Sequence, residues 1–109
     1  MKSDLVYLQH MLQACNRIVE YTQGDPRDFF NDTKAQDAVL RNFQILGDAA
    51  RLMSEEGRRK FNTIPWQEIL GMRNTLVHAY FGVDLEIVLK TVQKDVPKLQ
   101  QSLSAIIGT

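Results

Sequence analysis

Residues 64–84 read IPWQEILGMRNTLVHAYFGVD and form the segment most informative about the fold class. Pro65 near its start and Gly82 near its end predict a helix over residues 66–80. At about 100° per residue, the apolar side chains of that helix occur on nearly every side of it. Such a helix must be covered by neighbours on most of its surface, which favours a helical bundle.

The first of three further predicted helices begins at a cap formed by Ser3 or Asp4. It ends at residues 24–26, where glycine and proline interrupt the helix. Its predicted apolar stripe has three- and four-residue steps and comprises Leu5, Leu8, Leu12, Cys15 and Val19. Phe29 and Phe30 follow, and we expect them to close one end of the bundle.

The second predicted helix starts within residues 31–33 and ends at Gly57. Its stripe comprises Ala35, Val39, Asn42, Leu46, Ala49 and Met53. Asn42 is the polar member of this stripe, so we expect its amide to be buried or half-buried. It either fixes the helix register through a hydrogen bond across the bundle or supports a functional site.

The last predicted helix begins after Asp84, which can cap it. One face carries Leu85, Val88, Leu89, Val92, Val96, Leu99, Leu103 and Ile106. Pro97 faces away from this stripe and can bend the helix. The connections are short and no strand-like alternation competes. The sequence therefore predicts an all-α, up-and-down four-helix bundle in which residues 1–109 form a single domain.

Composition limits the possible functions. Thirteen Lys and Arg residues balance thirteen Asp and Glu residues, so no global field draws the chain to nucleic acid, and any RNA contact must be local. The single Cys15 cannot form an intrachain disulfide, and the N-terminus does not resemble a signal peptide. No run approaches the roughly 20 apolar residues of a membrane helix. We therefore expect a cytoplasmic protein without membrane association.

Four polar residues, Arg73, Asn74, His78 and Tyr80, lie close together at the end of the otherwise apolar third helix. Arg73 and Tyr80 are nearly eclipsed, whereas an unbroken helix separates Arg73 from His78 by roughly 140°. Two arrangements can bring Arg73 and His78 into one site. Either the helix unwinds toward Gly82, or a second subunit completes the site with its own copy of the motif.

These residue types suit RNA cleavage without a metal, in which a ribose hydroxyl attacks the adjacent phosphate. His78 titrates near neutrality and can transfer the proton. Arg73 stays charged and presents a planar fork to the phosphate oxygens. Asn74 can hold the imidazole in one tautomer, and Tyr80 can bind a phosphate oxygen or stack on a base. We expect no metal or other cofactor.

The arrangement Arg-x4-His-x-Tyr over residues 73–80 resembles the signature of HepT toxins in the HEPN superfamily. Residues 64–84, together with QDAVLRNFQILGDAA at 36–50, extend the resemblance over nearly the whole chain. The resemblance implies a HEPN-like α-helical homodimer with a composite RNase site. It also implies a cognate nucleotidyltransferase antitoxin of the MntA type, which can silence the toxin by transferring AMP to the motif tyrosine. Tyr80 occupies that position.

The rival hypothesis is a non-catalytic helical module that binds a nucleotidyltransferase through the same polar residues. RNA cleavage in the presence of a chelator separates the two. Elsewhere, His10 is predicted to be a solvated surface residue and Cys15 a core thiol. The basic run over residues 58–60 is either a solvated surface or a phosphate-binding patch.

Overall fold

The computed structural model describes residues 2–79 and 84–108, and for Lys2 and residues 73–79 it describes the backbone alone. Within these residues the chain forms six α helices and no strand. The long helices are α1 (Lys2–Tyr21), α3 (Thr33–Leu52), α5 (Trp66–Ala79) and α6 (Leu85–Ile107), and the short ones are α2 (Pro26–Asn31) and α4 (Glu55–Lys60). The predicted all-α class is confirmed, with four long helices.

Helix α1 packs against both α3 and α6, and α3 in turn packs against α5. The start of α1 meets the end of α3 through a hydrogen bond between Asp4 and Ser54. The same end of α1 meets the end of α6, because Leu5 and Ile106 line one surface groove. Both pairs are therefore antiparallel, as in an up-and-down bundle.

The core is formed by one continuous set of apolar side chains from all the long helices. In α6 the buried residues are Val88, Leu89, Val92, Val96, Leu99 and Leu103. This is the predicted stripe, with Leu85 and Ile106 partly buried beside it. Pro97 lies within α6 on the exposed side, also as predicted, and the helix continues to Ile107.

The predicted cap and stripe of α1 need correction. The helix already includes Lys2, so Ser3 and Asp4 lie in its first turn, and Asp4 is only 5% exposed. Of the predicted stripe, Leu8 and Cys15 are buried, Leu12 and Val19 are partly buried, and Leu5 is 46% exposed. The buried face also includes Asp4, Met11, Ala14 and Ile18. At the start of this face the Asp4 carboxylate turns inward and accepts hydrogen bonds from Ser54 after the end of α3.

The predicted end of the second helix at Gly57 is wrong. Helix α3 ends at Leu52, because Met53 adopts an extended conformation with ψ 143°. Ser54 then caps α4, its hydroxyl oxygen accepting a hydrogen bond from the Gly57 amide at 2.9 Å. Gly57 lies inside this new helix, where a Cβ atom would collide with the Asp4 carboxylate. Glycine is thus required by close packing rather than by helix termination.

The aromatic pair after α1 divides into a core residue and a surface residue. Phe29 is 4% exposed and joins the core, whereas Phe30 is 39% exposed. Their rings form an edge-to-face pair with centroids 6.1 Å apart. Only Phe29 therefore closes the end of the bundle. In the part of the chain that the structure describes, no helix is long and apolar enough to cross a membrane.

Candidate active site

The helix that carries the polar motif is anchored at its start. Ile64 and Ile69 are 2% and 3% exposed, and the indole nitrogen of Trp66 donates a hydrogen bond to the Phe61 carbonyl at 3.1 Å. The backbone amide of Ile69 bonds to the Pro65 carbonyl at 3.1 Å, as expected for a helix that begins beside a proline. The first two turns of α5 are therefore fixed firmly against the core.

The motif follows this anchored segment. Positions 73, 74 and 78 lie within the helical backbone of α5, which begins at Trp66 as predicted and runs to Ala79. The side chains of Arg73, Asn74 and His78, and all of Tyr80, lie outside the described residues. The unbroken backbone separates positions 73 and 78 by roughly 140° about the helix axis. The turn toward Gly82 lies outside the described residues, so both arrangements that could unite Arg73 and His78, unwinding toward Gly82 and completion by a second copy, stay predictions.

Asn42 is buried, in agreement with the prediction. It is 5% exposed, and its amide nitrogen donates a hydrogen bond to the Ala38 carbonyl one turn earlier at 2.8 Å. No described residue donates a hydrogen bond to its side-chain oxygen. Leaving a buried amide oxygen without a hydrogen-bond donor costs folding free energy. The Asn42 oxygen can therefore accept a hydrogen bond from a group outside the described residues.

A groove of about 340 Å³ lies between α5 and α6. It is lined by Leu46, Pro65, Glu68, Ile69, Met72, Ile87, Thr91, Asp95, Val96 and Leu99. We call it the α5–α6 groove. Its lining is mainly apolar, and Ile87 on its wall is 53% exposed. An apolar surface that its own chain leaves partly uncovered therefore lies beside α5, immediately before the motif.

A second groove, of about 570 Å³, lies between α4 and α5. It is lined by Glu55, Arg58, Arg59, Asn62, Trp66, Gln67 and Leu70, and we call it the α4–α5 groove. The basic run at 58–60 forms the last turn of α4. Its members separate, because Arg58 and Arg59 line this groove while Lys60 lies over the Phe61 ring, 5.4 Å from its centroid.

The two remaining candidate residues have the positions predicted for them. His10 is exposed on α1. Cys15 is fully buried, and burial raises the pKa of its thiol to about 12, so it stays protonated at neutral pH. Among the described residues no group of three His, Cys, Asp or Glu side chains is placed to hold a metal ion.

Sequence reasoning missed the contact between Asp4 and Ser54. Ser54 donates to the Asp4 carboxylate through its hydroxyl at 2.6 Å and through its backbone amide at 3.0 Å. These hydrogen bonds lower the pKa of the Asp4 carboxyl. The only local signal was Ser54 followed by two glutamates, which is typical of a helix start. Nothing local indicated its partner, which lies 50 positions away.

Comparison with known proteins gives a consistent result. A family profile described as HepT-like ribonuclease matches residues 11–106. A protein from Caldanaerobacter subterraneus, described as a candidate RNase, is 37% identical over 98% of this chain and 96% of its own length. A probable ribonuclease HepT from Thermococcus cleftensis is 40% identical over 86% of each chain.

A longer relative also matches. A Methanocaldococcus jannaschii protein, described as a gamma-glutamylcyclotransferase and candidate RNase, is 41% identical over 98% of this chain. The present chain spans only 49% of that protein. No solved structure matches significantly. The family match covers most of the helical domain and includes the Arg73–Tyr80 segment, and the chain therefore belongs to the HepT-like ribonuclease family.

Proposed function

We propose that this chain is a metal-independent endoribonuclease toxin that cleaves RNA through Arg73 and His78. The observation that carries the proposal is the Arg-x4-His-x-Tyr sequence on and directly after α5, in a chain of the HepT-like ribonuclease family. Asn74 and the buried Asn42 support the site. The anchored start of α5 gives the motif a rigid base, which catalytic groups require.

The proposed reaction needs no redox partner. The ribose 2′ oxygen bonds to the adjacent phosphorus while His78 accepts the hydroxyl proton. Arg73 stabilises the charge that accumulates on the phosphate oxygens. The bond from phosphorus to the 5′ oxygen then breaks, and that oxygen takes a proton from the second imidazole that a homodimer supplies. The products are a 2′,3′-cyclic phosphate and a 5′-hydroxyl.

The working form is a homodimer in which each α5–α6 groove is covered by the second copy. Two features support this assembly. The groove lining is mainly apolar, and the backbone separates positions 73 and 78 within one chain. A two-fold arrangement with the motif near its axis brings Arg73 and His78 of both copies into one composite site, which therefore holds the two imidazoles that the reaction needs.

A cognate nucleotidyltransferase of the MntA type silences the toxin by transferring AMP to Tyr80. Membership in the HepT-like family supports this regulation. The phosphodiester of the attached AMP would engage Arg73 in place of the substrate phosphate. A chain that only binds the nucleotidyltransferase, without cleaving RNA, is the rival function.

The decisive experiment is RNA cleavage by purified protein in the presence of a chelator. The parent should produce 2′,3′-cyclic phosphate ends, and Arg73→Ala and His78→Ala should each lower the rate by roughly 10²–10⁴-fold. His10→Ala is the matched control, because His10 is the other histidine of the chain and is exposed on α1. The proposal is contradicted if His78→Ala cleaves RNA at the same rate as the parent, or if the chelator stops cleavage by the parent.

A further inference from the structure

The α4–α5 groove has the lining of a surface for a polyanion. Arg58 and Arg59 face it from α4, against a single acidic residue, Glu55. Asn62 and Gln67 add exposed amides that can hydrogen bond to ribose hydroxyls or base edges. Because the whole chain has no net charge, such a local cluster is where electrostatic attraction for an anion can arise.

The guanidinium groups in this groove are not neutralised by contacts. Within the described ranges the one ion pair joins Arg27 to Asp25, so neither Arg58 nor Arg59 is paired there. Lys60 differs, since it lies over the Phe61 ring and lines another groove, with Asp4 and Glu56. Two adjacent cations therefore remain available in the α4–α5 groove. A guanidinium fork binds phosphate oxygens in a bidentate manner.

The platform that holds these arginines is rigid. Ser54 caps α4 and is itself held by the buried Asp4. At the other end of α4, the Phe61 amide bonds to the Gly57 carbonyl at 2.9 Å, and the Phe61 carbonyl accepts the Trp66 indole. The short helix is thus fixed to α1 and to α5, and the spacing between its arginines and α5 is defined.

The groove also leads toward the motif. Trp66 and Leu70 line it from α5, and position 73 follows them by seven and three residues. At 3.6 residues per turn, these three positions share one side of the helix. Position 73 therefore lies roughly 10 Å along the axis from Trp66, on the side of α5 that lines the groove.

We propose that the α4–α5 groove binds the phosphodiester backbone of single-stranded RNA and directs it to position 73. Arg58 and Arg59 contact successive phosphates, while Asn62 and Gln67 contact the sugar or base edges. The inference rests on the proposed ribonuclease function and extends it, because it locates the path of the substrate outside the Arg73–Tyr80 motif.

The test measures binding of a fluorescein-labelled, 2′-O-methylated RNA oligonucleotide of mixed sequence by fluorescence anisotropy. Methylation blocks the attacking hydroxyl, so the parent protein can be used without an inactivating substitution. The double variant Arg58→Gln/Arg59→Gln should bind roughly tenfold more weakly at low salt. Its plot of log K against log salt should be shallower by about 1.4, because each single-strand phosphate contact contributes about 0.7.

The matched control is Arg51→Gln/Lys60→Gln. It removes the same charge from two exposed cations near α4 that do not line the groove. We expect it to bind within about twofold of the parent and to keep the parent's salt slope, because no phosphate contact is lost. Far-ultraviolet circular dichroism of both double variants verifies that the helices are intact.

Two outcomes overturn the inference while leaving the ribonuclease proposal standing. In the first, the parent cleaves unmodified RNA and Arg58→Gln/Arg59→Gln keeps the parent's affinity and salt slope. In the second, the control double variant weakens binding as much as the groove variant, which indicates a diffuse field instead of a defined path. A parent that neither binds nor cleaves RNA removes both the inference and the proposed function.

Discussion

The carboxylate of Asp4, near the start of α1, accepts two hydrogen bonds from Ser54 at the junction of α3 and α4. One comes from the hydroxyl at 2.6 Å and one from the backbone amide at 3.0 Å. The same Ser54 oxygen accepts the Gly57 amide and begins α4. A single buried carboxylate therefore positions the helix that carries Arg58 and Arg59.

Replacing Asp4 with asparagine should destabilise the fold by about 1–3 kcal/mol near neutral pH, because charged hydrogen bonds to a buried group are lost. Urea unfolding followed by circular dichroism measures the change. Asp25→Asn is the matched control. Asp25 pairs with Arg27 on the surface and asparagine retains its capping role, so we expect little effect.

The Asp4 contribution should also depend on pH. Its hydrogen bonds lower the pKa of the folded-state carboxyl below the ordinary value of 3.8. The stabilisation is therefore complete above the unfolded-state pKa and is lost as the pH falls through the folded-state pKa. The stability gap between parent and Asp4→Asn should narrow below about pH 4. A gap that stays constant down to pH 2 would contradict this assignment.

Two glycines in helices should respond in opposite directions to alanine. At Gly57 a Cβ would meet the Asp4 carboxylate and the end of Met53, so Gly57→Ala should cost about 1–3 kcal/mol of unfolding free energy. At Gly71 a Cβ meets no atom of the described residues within 4 Å, so Gly71→Ala should stabilise α5 by about 0.5–1 kcal/mol. Thermal unfolding of the two variants tests both values. Equal effects of one sign would refute the packing argument.

Local signals in the sequence predicted the four long helices. The predictions were wrong where contacts between distant residues determine which side chains are buried or where a helix ends. Apolar periodicity placed the buried face of α6 correctly, because that face joins the core from Val88 to Leu103. In α1 the prediction missed the buried Asp4, whose partner Ser54 lies 50 positions away. The break between α3 and α4 was also missed. Gly57 was interpreted as a helix end, whereas its role is close packing against Asp4, which the local sequence does not reveal.

For the candidate site, the local sequence predicts the motif but does not reveal the residues that surround it. The spacing of Arg73 and His78 on a helix can be read directly from the chain. The division of the basic run was not predictable, because a run of three charges does not reveal which members face α5. Lys60 turns to the Phe61 ring, and the two arginines turn to the α4–α5 groove.

Asn42→Leu should separate a structural role from a functional one. The substitution removes a buried amide oxygen that has no partner among the described residues, so stability should be unchanged or higher by about 1 kcal/mol. RNA cleavage should nevertheless fall roughly tenfold or more if the amide supports the site. Cleavage rates and urea unfolding, measured on the same variant, distinguish the functional role from the structural one. Parent activity in a stable Asn42→Leu variant would restrict this residue to packing.

Ile87→Arg should dissociate the proposed homodimer. Ile87 is 53% exposed on the wall of the α5–α6 groove, so the isolated fold tolerates the change while an apolar interface does not. Light scattering should give twice the 12.5 kDa chain mass for the parent and one chain mass for the variant, which should also lose cleavage. Val6→Arg is the control, at a residue 45% exposed on α1. A monomeric, fully active parent would refute the composite site.

Tyr80→Phe should resist silencing by the proposed cognate nucleotidyltransferase. Tyr80 lies two residues after His78, so AMP on its hydroxyl would put a phosphodiester beside Arg73 and block the substrate phosphate. Co-expression should add one or more AMP masses to the parent and abolish cleavage, whereas Tyr80→Phe should gain no mass there. Intact-mass and peptide mass spectrometry locate the modification. Tyr21, which is 41% exposed, and Tyr7 serve as internal controls. AMP on either of them, or an inactive toxin with no added mass, would show that Tyr80 is not the regulatory residue.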